Sequence, residues 1–570
     1  MMARWRCLVV SLLLSGIRAF SAPPKSDNFR RNTFQSTPTS FDNKEVAYTS
    51  TSEDDDDAII RSLLLDAPHH EEEEEEEPCC HNVEDEKIAQ ILIGKHKWLG
   101  GALDDSGTIY GVPSHSNYVI SLSPSTTTQE NLNDNTKKSG DSSSYQINML
   151  RLPSYITNNA KKDGGKHKDH QFKWLRGIIN NNFLYGIPAW AKDGVLKVNI
   201  HEWSKWREAN PSRRIIDGDD ELSNRLVTTI PFPDALDVQQ HYRWAWHGAA
   251  LNTNSTAIYC IPSNAQHVLK VDLETSTVSY LSIPPLHGMD PTHHAKLLAG
   301  TNKWYGGIKG DDNCVYGIPY AAGSVLCIDA NTDEVKLLGD FGWNKYNFHG
   351  GLKSSKGAIY AFPAHADEVL KIDTTIIDGD DDDDKLSLLP IQRAPYDNDP
   401  VTRYKWLGGC IGKDGNIFAM PSDASSVLHI NVQNDVVTTF GCIENSDPTR
   451  MNADGTKYVE KNKFQGGVLG RDGFIYALPS NAKGILRIDT RPISGEEGRS
   501  IFLDKNRVSC IGTLEQKTDK WQGGFAVKSG EIIAIPENCN SVLKVLPPCP
   551  EVADECINNE VDGGVVISKL

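Results

Sequence analysis

The chain has no nucleophile or nucleotide motif, no surplus of positive charge and no apolar run long enough to cross a bilayer. Gly-x-Ser-x-Gly is missing, which excludes the strained turn that exposes an α/β-hydrolase serine, and His-Glu-x-x-His and the Gly-Lys-Ser/Thr phosphate loop are missing as well. With 58 Lys and Arg against 76 Asp and Glu, the formal net charge is −18 at pH 7. That is the wrong sign for neutralising phosphates, so no nucleic-acid partner is expected. Cysteine is sparse for a disulfide scaffold: of 12 in 570 residues, Cys260, Cys314, Cys327, Cys410, Cys442 and Cys510 fall in or beside apolar runs. There a thiol packs as a small hydrophobe, a pattern suited to a reducing compartment. Cys549 and Cys556 lie outside such runs, at a spacing that matches no metal site.

What the chain has instead is a repeated phrase. Residues 97–113 read KWLGGALDDSGTIYGVP and residues 405–421 read KWLGGCIGKDGNIFAMP. Further copies are KWYGGIKGDDNCVYGIP at 303–319, NFHGGLKSSKGAIYAFP at 347–363, KFQGGVLGRDGFIYALP at 463–479 and KWQGGFAVKSGEIIAIP at 520–536. Two looser ones, KWLRGIINNNFLYGIP at 173–188 and WHGAALNTNSTAIYCIP at 246–262, bring the count to eight. Self-similarity of this length marks a repeat architecture.

Each copy runs past its proline through a polar stretch into a second apolar run, such as SNAKGILRIDT at 480–490. Read by period, a copy gives three short strands and a less regular fourth, carried by pieces such as 335–341 and 436–442. A small four-stranded sheet cannot bury both faces alone and stacks on its neighbours, so the expected fold is all-β: an eight-bladed β-propeller, with seven blades as the alternative, over residues 89–546. Residues 89–95, AQILIGK, read as a lone fourth strand that completes the last blade and closes the ring, leaving 547–570 as a C-terminal tail.

The copies resemble propeller repeats of the NHL, virginiamycin-lyase-like and kelch-like class. The resemblance covers the repeats and implies a fold; the tryptophan ahead of the glycines departs from kelch spacing, and the Gly-His and Trp-Asp pairs of WD40 repeats are absent. It leaves the activity open, because propellers host unrelated functions. Some related propellers are lyases and lactonases with a channel-mouth metal or a general-base histidine. By that analogy His247, His349 and His365 are the catalytic candidates.

Function is expected where equivalent positions differ. The residue after the repeated aromatic reads Leu99, Leu175, His247, Tyr305, His349, Leu407, Gln465 and Gln522, and is expected at the channel mouth. The residue two beyond the proline reads His115, Trp190, Asn264, Ala321, His365, Asp423, Asn481 and Asn538. Both rings fall on one propeller face, so His115, Trp190, His247, Tyr305, His349, His365, Asp423 and Asn481 form the candidate ligand site. Imidazole and carboxylate there leave room for a divalent metal, and no other cofactor is indicated. The expected role is noncatalytic binding or scaffolding toward a protein, a glycan or a small polar ligand, with a metal-assisted lyase or lactonase as the alternative. Long insertions at 121–172, 201–242 and 376–404 are further candidates to carry interactions.

The N-terminus reads as targeting: MMARWR is a positive n-region and residues 7–17 an apolar core of signal-peptide length. Ala19-Phe20 with Pro23 resembles the bipartite presequence of algae with secondary plastids, which implies a signal peptide at 1–19, a transit peptide at 20–50 and delivery to a plastid through the secretory route. Arg18 departs from the pattern and keeps secretion as the alternative. Residues 51–88 read as a disordered acidic segment. Acidic runs at 53–57, 71–77 and 378–384 hold 5, 7 and 6 acids and match the net charge of −18, so the remaining body is near neutral.

Overall fold

The computed structural model describes residues 83–125, 145–158, 172–217, 221–233, 243–342, 345–376, 382–397, 401–443, 451, 460–492, 502–549 and 566–569. The presequence, the acidic runs at 53–57 and 71–77, and residues 126–144 and 159–171 of the insertion at 121–172 lie outside these residues.

Every copy of the phrase folds as expected into the first two strands of an antiparallel sheet. The first strands are Trp98–Leu103, Trp174–Asn180, Trp246–Leu251, Trp304–Lys309, Phe348–Lys353, Trp406–Ile411, Phe464–Leu469 and Trp521–Ala526. In the fourth repeat the sheet continues through Cys314–Pro319 and Val325–Asp329 to Val335–Leu338, and the other repeats follow the same up-and-down order. The proline ending each second strand sits opposite the repeated aromatic, as in Trp304↔Pro319, at the strand's end where its missing N–H interrupts no ladder. The fifth and sixth sheets are joined by a parallel pairing, Ile391↔Val437, made by the insertion at 376–404. The chain is thus all-β in its framework, built from propeller-type sheets.

One expectation fails. Residues 83–92 are an α-helix, Val83–Leu92, with Ile88 and Leu92 buried. Ile88, Ile91 and Leu92 recur at helical rather than alternating spacing, and the strand reading missed that period. The fourth strand of the eighth sheet is Val566–Lys569, paired antiparallel with Leu543–Leu546. The C-terminal segment therefore completes its own sheet, and the expected tail contributes a strand. The insertion at 201–242 is likewise not purely peripheral: its helix Ile200–Ala209 buries Trp203 completely, and its strand Ile215–Ile216 extends the first sheet in parallel.

Neighbouring sheets hold together by rules that repeat. The N–H before each aromatic donates to the carbonyl after the preceding repeat's proline, as in Lys303 N to Ser263 O at 2.9 Å and Lys520 N to Ser480 O at 3.1 Å. The same bond runs from Lys97 N to Glu537 O at 3.3 Å, from the first repeat to the eighth. Apolar clusters also span neighbours: Ile261 of the third repeat packs with Trp304, Val315 and Leu326 of the fourth, and Trp98 and Ile109 of the first with Ile533, Ile535 and Val542 of the eighth.

The word Lys-Trp-Leu-Gly-Gly is explained by these contacts. The lysine reaches back into the preceding repeat: Lys97 Nζ donates to Glu537 O at 2.8 Å and Cys539 O at 2.9 Å, and Lys520 Nζ to Ser480 O at 3.1 Å and Ala482 O at 2.7 Å. The indole N–H pins the start of the third strand, Trp98 to Tyr118 O at 2.7 Å and Trp304 to Ser324 O at 2.6 Å. The leucine is buried. The first glycine, Gly100 with φ +82°, occupies a β-bulge between Trp98 and Gly101. The second cannot carry a side chain, since a Cβ on Gly101 would lie 2.0 Å from Tyr110 O.

Candidate functional site at the repeat-entry rim

The variable positions gather where each repeat's first strand begins, together with a third ring not singled out in the sequence. The residue two before the aromatic reads His96, Phe172, Trp244, Asn302, Tyr346, Tyr404, Asn462 and Asp519. All but Phe172 hold the left-handed conformation, with φ between +51° and +59°. Large side chains seldom adopt it, and its recurrence makes it the entry turn of the repeat.

These turns divide the candidate residues by role. At four junctions the residue two beyond the proline supplies an oxygen to the entry turn of the next repeat. Asn264 Oδ1 accepts from Asn302 N at 2.7 Å, Asp423 Oδ1 from Asn462 N at 2.8 Å, Asn481 Oδ1 from Asp519 N at 3.0 Å and Asn538 Oδ1 from His96 N at 2.7 Å. The asparagines also hold their own entry turns, Asn481 Nδ2 donating to Lys461 O and Asn538 Nδ2 to Thr518 O, both at 2.9 Å. Asp423 and Asn481, expected as ligand contacts, are thus tied up in joining repeats. Burial pushes the Asp423 carboxyl upward, opposed by its bond from Asn462 N–H.

At the other four junctions this position is His115, Trp190, Ala321 or His365, and ring contacts take the place of the latch. His115 lies 4.2 Å from Phe172, Arg243 caps Trp190 at 4.2 Å, Tyr320 stacks on Tyr346 at 4.6 Å, and His365 meets Tyr404 edge-on at 4.6 Å. Such aromatic pairs stabilise by about 0.5–1.5 kcal/mol beyond their area, comparable with one net hydrogen bond.

The innermost candidates extend this arc. Tyr305 sits between His247 at 4.2 Å and His349 at 4.9 Å, so the two histidines are separated by a ring from the intervening repeat. His247 and Tyr305 are buried at 3% and 1% exposure, and Leu99, Leu175 and Leu407 are buried too. This position therefore faces packing in most repeats, while His349, Gln465 and Gln522 are half-buried. From His247 through Tyr305, Tyr320, His349, Tyr346 and His365 to Tyr404, ring contacts cross four consecutive repeats.

The accessible end of the arc opens on a cleft of about 950 Å³ beside the fifth and sixth repeats. Half-buried Tyr346, His365 and Tyr404 line it, with Asn347, Arg403, Asp367 and Glu368 as polar partners. Burial, reinforced by Arg403 and Lys405, pushes His365 down to about 4, so its imidazole is neutral near pH 7. Its Nε2 is buried and has no hydrogen-bond partner among the described residues. No group of three His, Cys, Asp or Glu side chains among the described residues is placed to hold a metal.

No protein-family description and no curated protein matches the chain. Among solved structures it is similar to a streptogramin B lyase at 13% identity, covering 68% of this chain and 92% of that one with a TM-score of 0.39. A virginiamycin B lyase from Staphylococcus aureus is similar at 11% identity over 64% and 92%, TM-score 0.38, and a 6-phosphogluconolactonase-like protein from Bacteroides fragilis at 10% over 61% and 83%, TM-score 0.37. Likeness at this level transfers no activity.

Proposed function

We propose that the eight repeats form an eight-bladed propeller closed head to tail, and that this ring is a noncatalytic binding protein whose rim cleft takes a polar, ring-bearing ligand such as a glycan. The observation that carries the reading is the pairing, in one cleft, of half-buried Tyr346, His365 and Tyr404 with Asn347, Arg403, Asp367 and Glu368. A pyranose needs an aromatic face for its C–H groups and hydrogen-bonding groups around the edge for its hydroxyls. The bond from Lys97 N to Glu537 O and the latch from His96 N to Asn538 support closure. The Ala19-Phe20 presequence supports delivery to a plastid through the secretory route.

The test is a panel of neutral and acidic oligosaccharides applied to the wild type and to the Tyr346→Ala/Tyr404→Ala double variant. Two lost stacking platforms at about 1 kcal/mol each predict roughly 30-fold weaker binding. The oligosaccharide should be recovered uncleaved by mass spectrometry. Equal retention by the folded double variant would refute the cleft as the site, and a cleaved product would refute the noncatalytic role.

A further inference from the structure

The rim cleft has a neighbour. A second cavity, of about 710 Å³, lies beside the connection from the third repeat to the fourth, and Met289, Asp290, His293, Lys296 and Asp340 are among the residues that line it. Asp340 lines the rim cleft as well, so the two cavities meet at one exposed side chain. A pocket of about 300–1,000 Å³ ordinarily holds one small ligand, and two such pockets in a row suit a longer one.

The lengths of the connections and their bonds set this arrangement. Strand Val335–Leu338 passes to strand Phe348–Lys353 through residues 339–347 alone, whereas Leu281 reaches Trp304 through 282–303 and Gln392 reaches Trp406 through 393–405. Both cavities border the short connection between the two longer ones. That connection is fixed: Phe341 N donates to Gly323 O at 2.6 Å, Asn347 Nδ2 to Phe341 O at 2.9 Å and Gly342 N to Asp340 Oδ1 at 3.0 Å. The other side of the second cavity is held too. Helix Pro291–Ala299, capped by Asp290, packs Leu297 into one apolar cluster with Ile283, Trp304 and Val335, and His294 Nε2 donates to Ile283 O at 2.8 Å. From this helix His293 and Lys296, one turn apart, border the cavity.

The two cavities offer different chemistry. The rim cleft has the Tyr346 and Tyr404 rings, while no tyrosine or tryptophan among the described residues lines the second cavity. Lys345 and Arg403 stand with Asp367 and Glu368 in the first, Lys296 stands with Asp290 in the second, and Asp340 lies between. Such mixed donors and acceptors suit hydroxyl groups, and carboxylates that outnumber the lysines and arginines disfavour an anionic chain.

We infer, resting on the glycan reading of the rim cleft, that the two cavities are consecutive subsites for one extended, uncharged oligosaccharide. Stacking on Tyr346 and Tyr404 anchors one end, and the chain crosses Asp340 so that its further units hydrogen-bond at His293 and Lys296.

The test is isothermal titration with β-1,4-glucan, β-1,4-mannan and chitin oligosaccharides, from disaccharide to hexasaccharide, and with a galacturonan hexasaccharide as the acidic chain. The His293→Ala/Lys296→Ala double variant changes two exposed side chains and leaves the Asp290 cap in place, so it is expected to fold. In one series or more the wild type should bind the hexasaccharide about tenfold more tightly than the disaccharide, the gain of one or two net hydrogen bonds, and in the double variant the two lengths should bind alike. The acidic hexasaccharide should bind more weakly than the neutral one. Equal affinity at every length in the wild type, or a length gain that survives in the folded double variant, overturns the extended site and leaves the rim cleft standing. Tighter binding of the acidic chain overturns the preference for an uncharged one. A folded wild type that binds no member of any series overturns the glycan reading and the extended site together.

Discussion

Replacing Asn538 with alanine tests ring closure directly, because Asn538 and its partner His96 are joined across a sequence separation of 442 residues. The substitution removes the acceptor of His96 N–H at 2.7 Å and the donor to Thr518 O at 2.9 Å. His96 is 8% and Asn538 9% exposed, so water reaches the orphaned groups poorly. Leaving a buried backbone donor unsatisfied costs about 1–3 kcal/mol. Globular proteins gain about 2 cal/mol/K of unfolding entropy per residue, so a body of roughly 480 residues loses about 1 °C of Tm per kcal/mol. Asn538→Ala is therefore expected to lower Tm by about 2 °C, measured by calorimetry at a fixed scan rate because large proteins often unfold irreversibly. Asn264→Ala is the control: it breaks the same kind of latch, to Asn302 N at 2.7 Å, between repeats that adjoin in sequence. A loss in Asn264→Ala with no change in Asn538→Ala would refute the closed ring, since an open array would leave the eighth repeat and the first apart.

Two further predictions address the repeat and its titrations. Trp304→Phe deletes the bond from the indole to Ser324 O at 2.6 Å and should cost about 1–2 kcal/mol, lowering Tm by 1–2 °C in calorimetry; an unchanged Tm would show that the indole serves only as bulk. His429 is held down to about 4 by burial, with Arg507 adding to the shift, and it packs between Phe418 and Phe440. Its folded pKa lies below the unfolded value of about 6.5, so the unfolded chain binds the extra proton between those limits. Stability is therefore full above pH 6.5 and declines toward pH 4, with His365 acting in the same direction, and His429→Phe should flatten the Tm profile over that window. Parallel profiles for variant and wild type would refute the assignment.

The repeats were legible because each letter of the phrase answers a local demand that recurs. Trp304 needs a carbonyl twenty residues on, and Gly101 needs space that Tyr110 O denies to any side chain. The first strands and their prolines followed from that recurrence. The ring closure was misread because residues 88–92 are apolar in a short window where helix and strand periods are hard to separate, and because Val566–Lys569 follows Leu546 after a long interval. The candidate site was legible only in part. Position alone could not tell that Asp423 and Asn481 latch one repeat to the next, since this depends on the left-handed turns at Asn462 and Asp519, whose residue types carry no common signature.

The two kinds of junction differ in what they leave at the rim. A latch fixes the next entry turn with one short polar side chain, as at Asn481 and Asn538. A repeat that gives up the latch must hold the turn by other means, and the four that do so carry histidine, tryptophan or alanine and make ring contacts instead. Rings are larger than the oxygen they replace and cannot all be covered at a junction between two sheets. The junctions from the fourth repeat to the fifth and from the fifth to the sixth are consecutive and both latchless, so their uncovered rings, Tyr346, His365 and Tyr404, fall side by side. Adjacency alone does not make the cleft, since the junctions at His115 and Trp190 are also consecutive and latchless; there Phe172 is buried, whereas Tyr346, His365 and Tyr404 are half-buried and line the cleft with polar groups at its edge.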